Sequence, residues 1–180
     1  MQMRQHAPDW AWAALNYRGY GASDGQPSQT ALVADAQAVY DALAADPRID
    51  PKRIVVIGRS LGSGVAVQLA AKRPLNALIL ITPYDSMLNV AAEKYPWLPV
   101  RWMLRHPFDS QELAPTLRLP TQILLAEQDQ LIPPAHGTRL AAAWGSPVQP
   151  LLLPGASHHD ILLHPQFWRV VRRFLQQQGN

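Results

Sequence analysis

The sequence has 180 residues, 48% of them hydrophobic, and contains no cysteine. This length and composition predict a single domain with an apolar core, and they exclude disulfides, thiolate metal sites and a cysteine nucleophile. The 16 Lys and Arg against 13 Asp and Glu give a net charge of +3, and the basic residues are dispersed except for Arg169, Arg172 and Arg173. We therefore expect no nucleic-acid partner.

The sequence carries no signal for membrane insertion or export. No apolar run reaches the ~18 residues that a membrane span requires. The first four residues, Met-Gln-Met-Arg, lack the apolar core of a signal peptide. We therefore expect a cytoplasmic protein without a stable membrane span.

Short apolar runs alternate with segments of helical period along the chain. We expect strands near residues 11–16, 53–57, 77–82, 121–126 and 148–153, and helices after Ser28 and near residues 63–72, 134–144 and 165–178. The run 53–57 shows no polar alternation, which is typical of a strand buried on both faces. Strands that alternate with helices predict an α/β fold with a mostly parallel sheet and helices on both of its faces.

The alternation stops between residues 84 and 120. This stretch contains prolines at positions 96, 99, 107 and 115 and a group of aromatic and methionine side chains: Tyr84, Met87, Tyr95, Trp97, Trp102 and Met103. One interpretation is an irregular, well-packed excursion. We favour a small cap inserted into the single domain at about residues 84–120, with these side chains lining an apolar pocket.

Two segments match Gly-x-Ser-x-Gly, and their contexts differ. The segment centred on Ser23 is followed by Gln-Pro, so no helix begins directly behind its serine. The segment centred on Ser60 follows a predicted strand and opens an Ala- and Val-rich helix, which is the context of a nucleophile elbow. Ser60 is therefore the candidate nucleophile, and the N–H of Leu61 is the candidate oxyanion donor. The alternative is a glycine-rich turn with an incidental serine.

A serine nucleophile needs a base, and His158 is the candidate. It follows the last predicted strand, at the sheet edge where Ser60 also lies. We interpret the adjacent His159 as pointing away, and the four other histidines as surface residues: His6, His106, His136 and His164. A rival interpretation is a metal site formed by His158, His159, Asp160 and His164, although no second ligand cluster accompanies it.

Two aspartates are candidates for the acid that orients the base. Asp129 follows the strand 121–126, and Asp85 follows the strand 77–82, so both lie at the predicted carboxyl edge. Either could instead be an ordinary turn aspartate. We favour Asp129, which precedes His158 by one helix and one strand and gives the chain order Ser, Asp, His.

These segments resemble the α/β-hydrolase superfamily, in particular its small serine hydrolases that include bacterial esterase-like proteins and protein depalmitoylases. The resemblance covers essentially the whole chain through residues 16–25, the elbow 58–62, the segment through Asp129, and residues 155–158. It implies that Ser60 is the nucleophile, Asp129 the acid and His158 the base, with no cofactor and no metal. The stretch 83–105 matches the cap of the family.

The resemblance also implies that the chain is N-terminally incomplete. Members of the family carry three further strands and a His-Gly turn before the strand that corresponds to residues 11–16. That turn supplies the second oxyanion donor of the family. The third family strand would lie between the runs 11–16 and 53–57, so we expect these runs to pair directly, or a homodimer to form across the open sheet edge.

The sequence therefore predicts a serine hydrolase that cleaves a carboxylic ester or thioester of a small hydrophobic acyl group, as a thioesterase or a lysophospholipase-like esterase does. One alternative is a serine peptidase. Another is an impaired hydrolase-fold module that binds a ligand or partner without turnover, since such a module could keep the three side chains and lack part of the oxyanion hole.

Overall fold

The computed structural model describes residues 5–179, so the expectation about the N-terminal residues 1–4 lies outside this range. One sheet contains four strands: β1 (Val55–Arg59), β2 (Ala77–Ile81), β3 (Thr121–Ala126) and β4 (Leu151–Leu153). The strands lie side by side in chain order, and each neighbouring pair is parallel. The predicted α/β fold with a mostly parallel sheet is confirmed.

The helices follow the strands largely where the sequence predicts them. They are α1 (Gln29–Ala44), α2 (Leu61–Ala70), α3 (Met87–Lys94), α4 (Val100–Met103), α5 (Ser110–Leu113), α6 (Pro134–Ala143) and α7 (Phe167–Gln178). The Ser28 hydroxyl caps α1 by accepting the N–H of Ala31 at 3.1 Å. Within residues 5–179, no helix is both long enough and apolar enough to cross a bilayer.

Strand β2 forms the centre of the core, and none of its residues is more than 3% exposed. Because side chains alternate across a strand, Ile79 packs on one face with Phe167 of α7, whereas Leu80 packs on the other face with Leu140 of α6. A third cluster joins α1 and α2 beside the sheet. Helices cover both faces, which leaves the carboxyl ends of the strands as the edge where loops meet.

The segment 11–16 forms no strand, so the expected first strand is wrong. Strand β1 pairs with β2 on one edge, and nothing in the described residues pairs with its other edge. The hypothesis that the segment pairs directly with the run 53–57 is therefore also wrong. Extended backbone forms a ladder only beside a partner strand, and Trp12 and Leu15 pack their side chains against the core clusters instead. The residues of β1 other than Gly58 are only half-buried, so the expectation that the run 53–57 is buried on both faces is wrong, because one edge of β1 has no partner strand within residues 5–179.

The connection between β2 and β3 spans residues 82–120 and contains α3, α4 and α5. Its inner side chains Tyr84 and Phe108 are buried in the third core cluster. Four of the side chains that we expected to line an apolar pocket are exposed: Tyr95, Trp97, Trp102 and Met103. The lining prediction is wrong for these four, because other apolar residues already fill the space beneath the connection.

Candidate active site

Ser60 lies on the turn between β1 and α2, with φ 51° and ψ −122°. Positive φ at a residue other than glycine costs about 1–3 kcal/mol, and such strain concentrates at functional sites. Gly58 allows the turn to close, because a Cβ there would lie 2.4 Å from the carbonyl oxygen of Gly62 and 2.7 Å from the Cβ of Ala66. The N–H of Ser60 donates to the carbonyl of Ile81 at 3.0 Å, which attaches the turn to β2.

The side chains of Ser60, His158 and Asp129 form one hydrogen-bonded row. His158 Nε2 lies 3.0 Å from Ser60 Oγ, and His158 Nδ1 lies 2.7 Å from Asp129 Oδ2. When Nδ1–H donates to the carboxylate, Nε2 is left as the acceptor for the serine proton. His158 and Asp129 are buried, whereas Ser60 is half-buried. The structure thus brings together the three side chains that the sequence singled out; their catalytic roles stay predictions.

The loops after β3 and β4 hold the acid and the base in place. Asp129 Oδ1 accepts the N–H groups of Leu131 and Ile132 at 2.9 and 2.8 Å, which leaves Oδ2 for the histidine. The two loops are joined because Gln128 N–H donates to the carbonyl of Ala156 at 2.8 Å. The pairing of β3 with β4 sets this register. The short parallel pair β3–β4 thereby brings His158 into contact with Asp129, which lies 29 positions earlier in the chain.

Arg59 is a residue of this site that the sequence analysis did not single out. It precedes Ser60 in the elbow, and its Nη2 donates to the main-chain carbonyl of His158 at 2.6 Å. The x positions of the Gly-x-Ser-x-Gly pattern carry no fixed chemistry, so nothing in the sequence marked this arginine. The contact joins the β1–α2 turn to the loop that carries the histidine.

Leu61 is the first residue of α2, as the elbow requires. A backbone N–H at this position has no carbonyl within its own helix to bind, and the helix dipole favours negative charge there. Tyr84 packs behind the turn, with its hydroxyl 3.4 Å from the carbonyl oxygen of Leu61. Burial raises the pKa of the Tyr84 hydroxyl, and the nearby Tyr17 adds to this. The phenol is therefore neutral and acts as a packing and hydrogen-bonding group.

Asp85 belongs to a second buried His–Asp pair and does not contact His158. His136 Nδ1 lies 2.6 Å from Asp85 Oδ1, and Arg139 Nε donates to Asp85 Oδ2 at 2.7 Å. The interpretation of His136 as a surface residue is wrong, since its side chain is fully buried. Burial opposes ionisation of Asp85, but hydrogen bonds from Arg139, His136, Ser86 and Asn89 together hold its pKa below the usual range.

The remaining sequence candidates lie outside these two clusters. Ser23 belongs to a turn before α1, as its context predicts, where its carbonyl accepts the N–H of Gly19 at 3.1 Å. His106 is exposed. In the part of the chain that the structure describes, no three His, Asp or Glu side chains are grouped so as to hold a metal ion. The rival metal cluster with His159 therefore does not form.

A parallel sheet with a strained serine between a strand and a helix is the arrangement of the α/β-hydrolase superfamily. The model of the family described as serine aminopeptidase S33, or Hydrolase_4, matches residues 4–108. The chain belongs to this family of α/β-hydrolases, which confirms the resemblance that the sequence motifs indicated.

Curated relatives extend the similarity beyond the family match. An uncharacterized protein of Mycobacterium tuberculosis H37Rv is 38% identical over 165 residues, which is 91% of this chain and 59% of the relative. The alpha/beta hydrolase domain-containing protein aho-3 of Caenorhabditis elegans is 32% identical over 167 residues, which is 93% of this chain and 49% of that protein. The chain thus spans about half the length of these relatives.

Solved structures agree on the fold. The acetyl xylan esterase from Paenibacillus sp. R4 superposes with a TM-score of 0.67 at 19% identity, covering 81% of this chain and 52% of the esterase. At this level of identity the comparison concerns the fold alone. Together with the family match, it identifies the protein as a hydrolase-fold protein.

Proposed function

We propose that the protein is a serine hydrolase that cleaves carboxylic esters or thioesters through an acyl-enzyme. The observation that carries this proposal is the row formed by Ser60, His158 and Asp129, with heavy-atom distances of 3.0 and 2.7 Å. Hydrogen-bond reach between nucleophile and base, and between base and orienter, is the geometric requirement for this chemistry. The membership of the chain in a hydrolase family supports the same conclusion.

Ser60 Oγ would attack the acyl carbon while its proton moves to His158 Nε2. Asp129 keeps the imidazole in the tautomer that accepts this proton and stabilises the imidazolium that forms. The imidazolium then donates the proton to the departing alcohol or thiol as the tetrahedral intermediate collapses. In the second half, His158 deprotonates water, which attacks the acyl-enzyme and releases the carboxylic acid and Ser60.

The N–H of Leu61 would stabilise the oxyanion of both tetrahedral intermediates. Its place at the start of α2 supports this role, because the donor is fixed before the reaction and costs no reorganisation. We assign the substrate to esters or thioesters of a small hydrophobic acyl group, the class handled by thioesterases and lysophospholipase-like esterases. The connection 82–120 leaves β2 at the same edge of the sheet and is the proposed cap over this substrate.

The first experiment is labelling of the purified chain with a fluorophosphonate probe, followed by mass spectrometry of the adduct. We expect one adduct on Ser60, absent in Ser60→Ala and lost in His158→Ala. Ser23→Ala is the matched control, since Ser23 occupies the other Gly-x-Ser-x-Gly segment, and it should label like the parent. Hydrolysis of p-nitrophenyl esters should likewise be lost in Ser60→Ala and His158→Ala and retained in Ser23→Ala.

The alternative outcomes separate this proposal from its competitors. Absence of an adduct on a chain with native circular dichroism and cooperative unfolding would contradict the proposal and favour a binding module without turnover. The family description, serine aminopeptidase S33, favours a peptidase as the second candidate. Turnover of aminoacyl p-nitroanilides, with p-nitrophenyl esters and thioesters left intact, would identify the peptidase.

A further inference from the structure

The proposed cap carries an exposed apolar surface whose side chains have no assigned part in the steps proposed above. We define the tryptophan patch as Tyr95, Trp97, Leu98, Trp102 and Met103. These five side chains are 41%, 73%, 40%, 91% and 63% exposed, and they account for five of the nine large hydrophobic residues exposed in the described part of the chain. Single exposed apolar residues are normal on proteins, but a concentration within nine positions indicates a contact surface.

The tryptophan patch is held in a defined position by the residues around it. Tyr84 and Phe108, which lie before and after the patch in the sequence, are buried and anchor this part of the connection to the domain. Tyr95 and Trp97 stack edge to face, with ring centroids 5.8 Å apart. Pro96 and Pro99 restrict the backbone between α3 and α4. The large aromatic side chains are thus held outward on a restrained backbone.

The charge within the patch segment has one sign. Residues 94–108 contain Lys94, Arg101 and Arg105 and no acidic residue, so this segment carries a charge of +3. The acidic residues on either side have partners elsewhere: Glu93 lies 3.1 Å from His136 Nε2, and Asp109 caps α5 by accepting the N–H of Glu112. All three basic side chains belong to exposed residues. Within residues 5–179 none of them forms an ion pair, whereas Arg18, Arg48, Arg73 and Arg139 do. The positive charge is therefore available to a partner.

We propose that the tryptophan patch docks the protein on the surface of an anionic lipid bilayer. Tryptophan and tyrosine are the side chains that favour the boundary between headgroups and acyl chains. Lysine and arginine beside them attract anionic headgroups, and apolar insertion combined with this attraction gives reversible interfacial binding. A second copy of the chain fits less well, because a symmetric contact would bring the same +3 segments together.

The patch lies near the loop that follows β3. Lys94, directly before Tyr95 of the patch, lines one pocket together with Gln130 and Leu131, and these two residues follow Asp129. A bilayer bound through the patch would therefore lie on the side of the molecule where this loop lies. The binding itself does not depend on the proposed hydrolase activity, and the Ser60→Ala variant is used throughout so that no lipid is consumed.

The test is co-sedimentation of the 180-residue chain with vesicles of phosphatidylcholine, alone or with 30% phosphatidylglycerol, together with tryptophan fluorescence. We expect binding and a blue shift with the anionic vesicles and at least tenfold weaker binding to the neutral ones. The double substitution Arg101→Glu/Arg105→Glu should lower the partition coefficient by more than about tenfold, since each basic residue contributes separately. Trp97→Ser/Trp102→Ser should lower the co-sedimented fraction by a similar factor, because the side chains that insert between the headgroups are removed.

Matched controls keep the proposal falsifiable. Arg169→Glu/Arg173→Glu changes the net charge equally on the exposed face of α7 and should leave binding intact. Leu163→Ser removes an apolar side chain that is 71% exposed elsewhere and should do the same. Equal loss in the Arg169/Arg173 control would mean attraction to net charge alone and would overturn the proposal. Concentration-dependent dimers abolished by Trp97→Ser/Trp102→Ser, without vesicle binding, would also overturn it and identify a second copy as the occupant.

Discussion

Arg59 and His158 are joined by a hydrogen bond that crosses the candidate site. Arg59 Nη2 donates to the carbonyl of His158 at 2.6 Å, although the two residues are 99 positions apart. One end of this contact lies beside Ser60 on the β1–α2 turn, and the other lies on the loop after β4. The arginine thereby fixes the distance between the elbow and the backbone of the base, without touching either reacting atom.

We predict that Arg59→Met lowers kcat for ester hydrolysis by about 10- to 100-fold, because small displacements of a base from its nucleophile have effects of this size. KM should change little, since Arg59 acts on His158 and has no assigned contact with substrate. Steady-state kinetics with p-nitrophenyl esters measures this split. Arg48→Met, which removes an exposed arginine paired with Asp46, is the control and should leave both constants unchanged. A rise in KM with kcat intact would contradict the positioning role.

The two His–Asp pairs should respond differently to the same substitution. Asp129→Asn should reduce kcat by roughly 10⁴-fold, because the histidine loses the tautomer that accepts the serine proton. Asp85→Asn should leave kcat within a few fold, since Asp85 contacts His136 and not His158. Kinetics at a temperature where both variants are folded provides the comparison. Equal losses in both variants would show that the assignment of Asp129 as the acid is wrong.

Asp85 should contribute stability that disappears in acid. The pKa of Asp85 in the folded state lies below the ordinary value of 3.8. At a pH between the folded-state pKa and 3.8, the unfolded chain therefore binds the proton more readily than the folded chain does. The stabilisation is fully present above about pH 5 and is lost as the pH falls through the folded-state pKa. At pH 7, Asp85→Asn should lower the free energy of unfolding by about 1–3 kcal/mol, because a buried carboxylate loses its charge-assisted hydrogen bonds while the Arg139 side chain left behind is still 43% exposed.

Urea unfolding of the parent chain and the Asp85→Asn variant between pH 7 and pH 3 measures this effect. The difference in the free energy of unfolding should be constant down to about pH 5 and should shrink below it. A difference that stays constant to pH 3 would contradict the linkage, because the neutral asparagine cannot titrate. Asp46→Asn, which changes a pair with an exposed arginine, is a control expected to leave the free energy of unfolding nearly unchanged.

The two glycines of the elbow should not tolerate alanine equally. A Cβ at Gly58 would lie 2.4 Å from the backbone oxygen of Gly62, whereas a Cβ at Gly62 would meet only the hydroxyl of Tyr17 at 3.2 Å. Gly58→Ala should therefore cost about 1–3 kcal/mol of stability and abolish fluorophosphonate labelling. Gly62→Ala should change stability by less than about 1 kcal/mol, with labelling retained. Thermal unfolding and labelling of both variants decide the matter.

The sequence was most informative where one local pattern determines one structure. The β-branched run at 53–57, the glycines around Ser60 and the spacing of Asp129 and His158 each constrain the chain over a few residues, and their positions follow the predicted α/β topology. The pairing of β3 with β4 then brings the acid to the base.

Features that depend on a partner far away in the chain could not be read from the sequence. His136 resembled a surface residue because prolines stand beside it, yet it is fully buried and its ring contacts Asp85, which lies 51 positions earlier in the chain. The segment 11–16 has the composition of a strand but lacks a neighbouring strand to bond. The hydrophobicity of Trp97 and Trp102 predicted that they face inward, but both are exposed. Hydrophobicity does not show that Tyr84 and Phe108 already occupy the space beneath the connection.

The presence of two imidazole–carboxylate pairs has a spectroscopic consequence. A ring N–H that donates to a carboxylate is strongly deshielded, so the proton NMR spectrum should contain a downfield resonance from His158 and another from His136 wherever the proton lies on the bonded nitrogen. Asp129→Asn should remove the first signal and Asp85→Asn the second. A simple one-dimensional spectrum of the resting protein, with no substrate or probe, would then report separately whether each pair is assembled in solution.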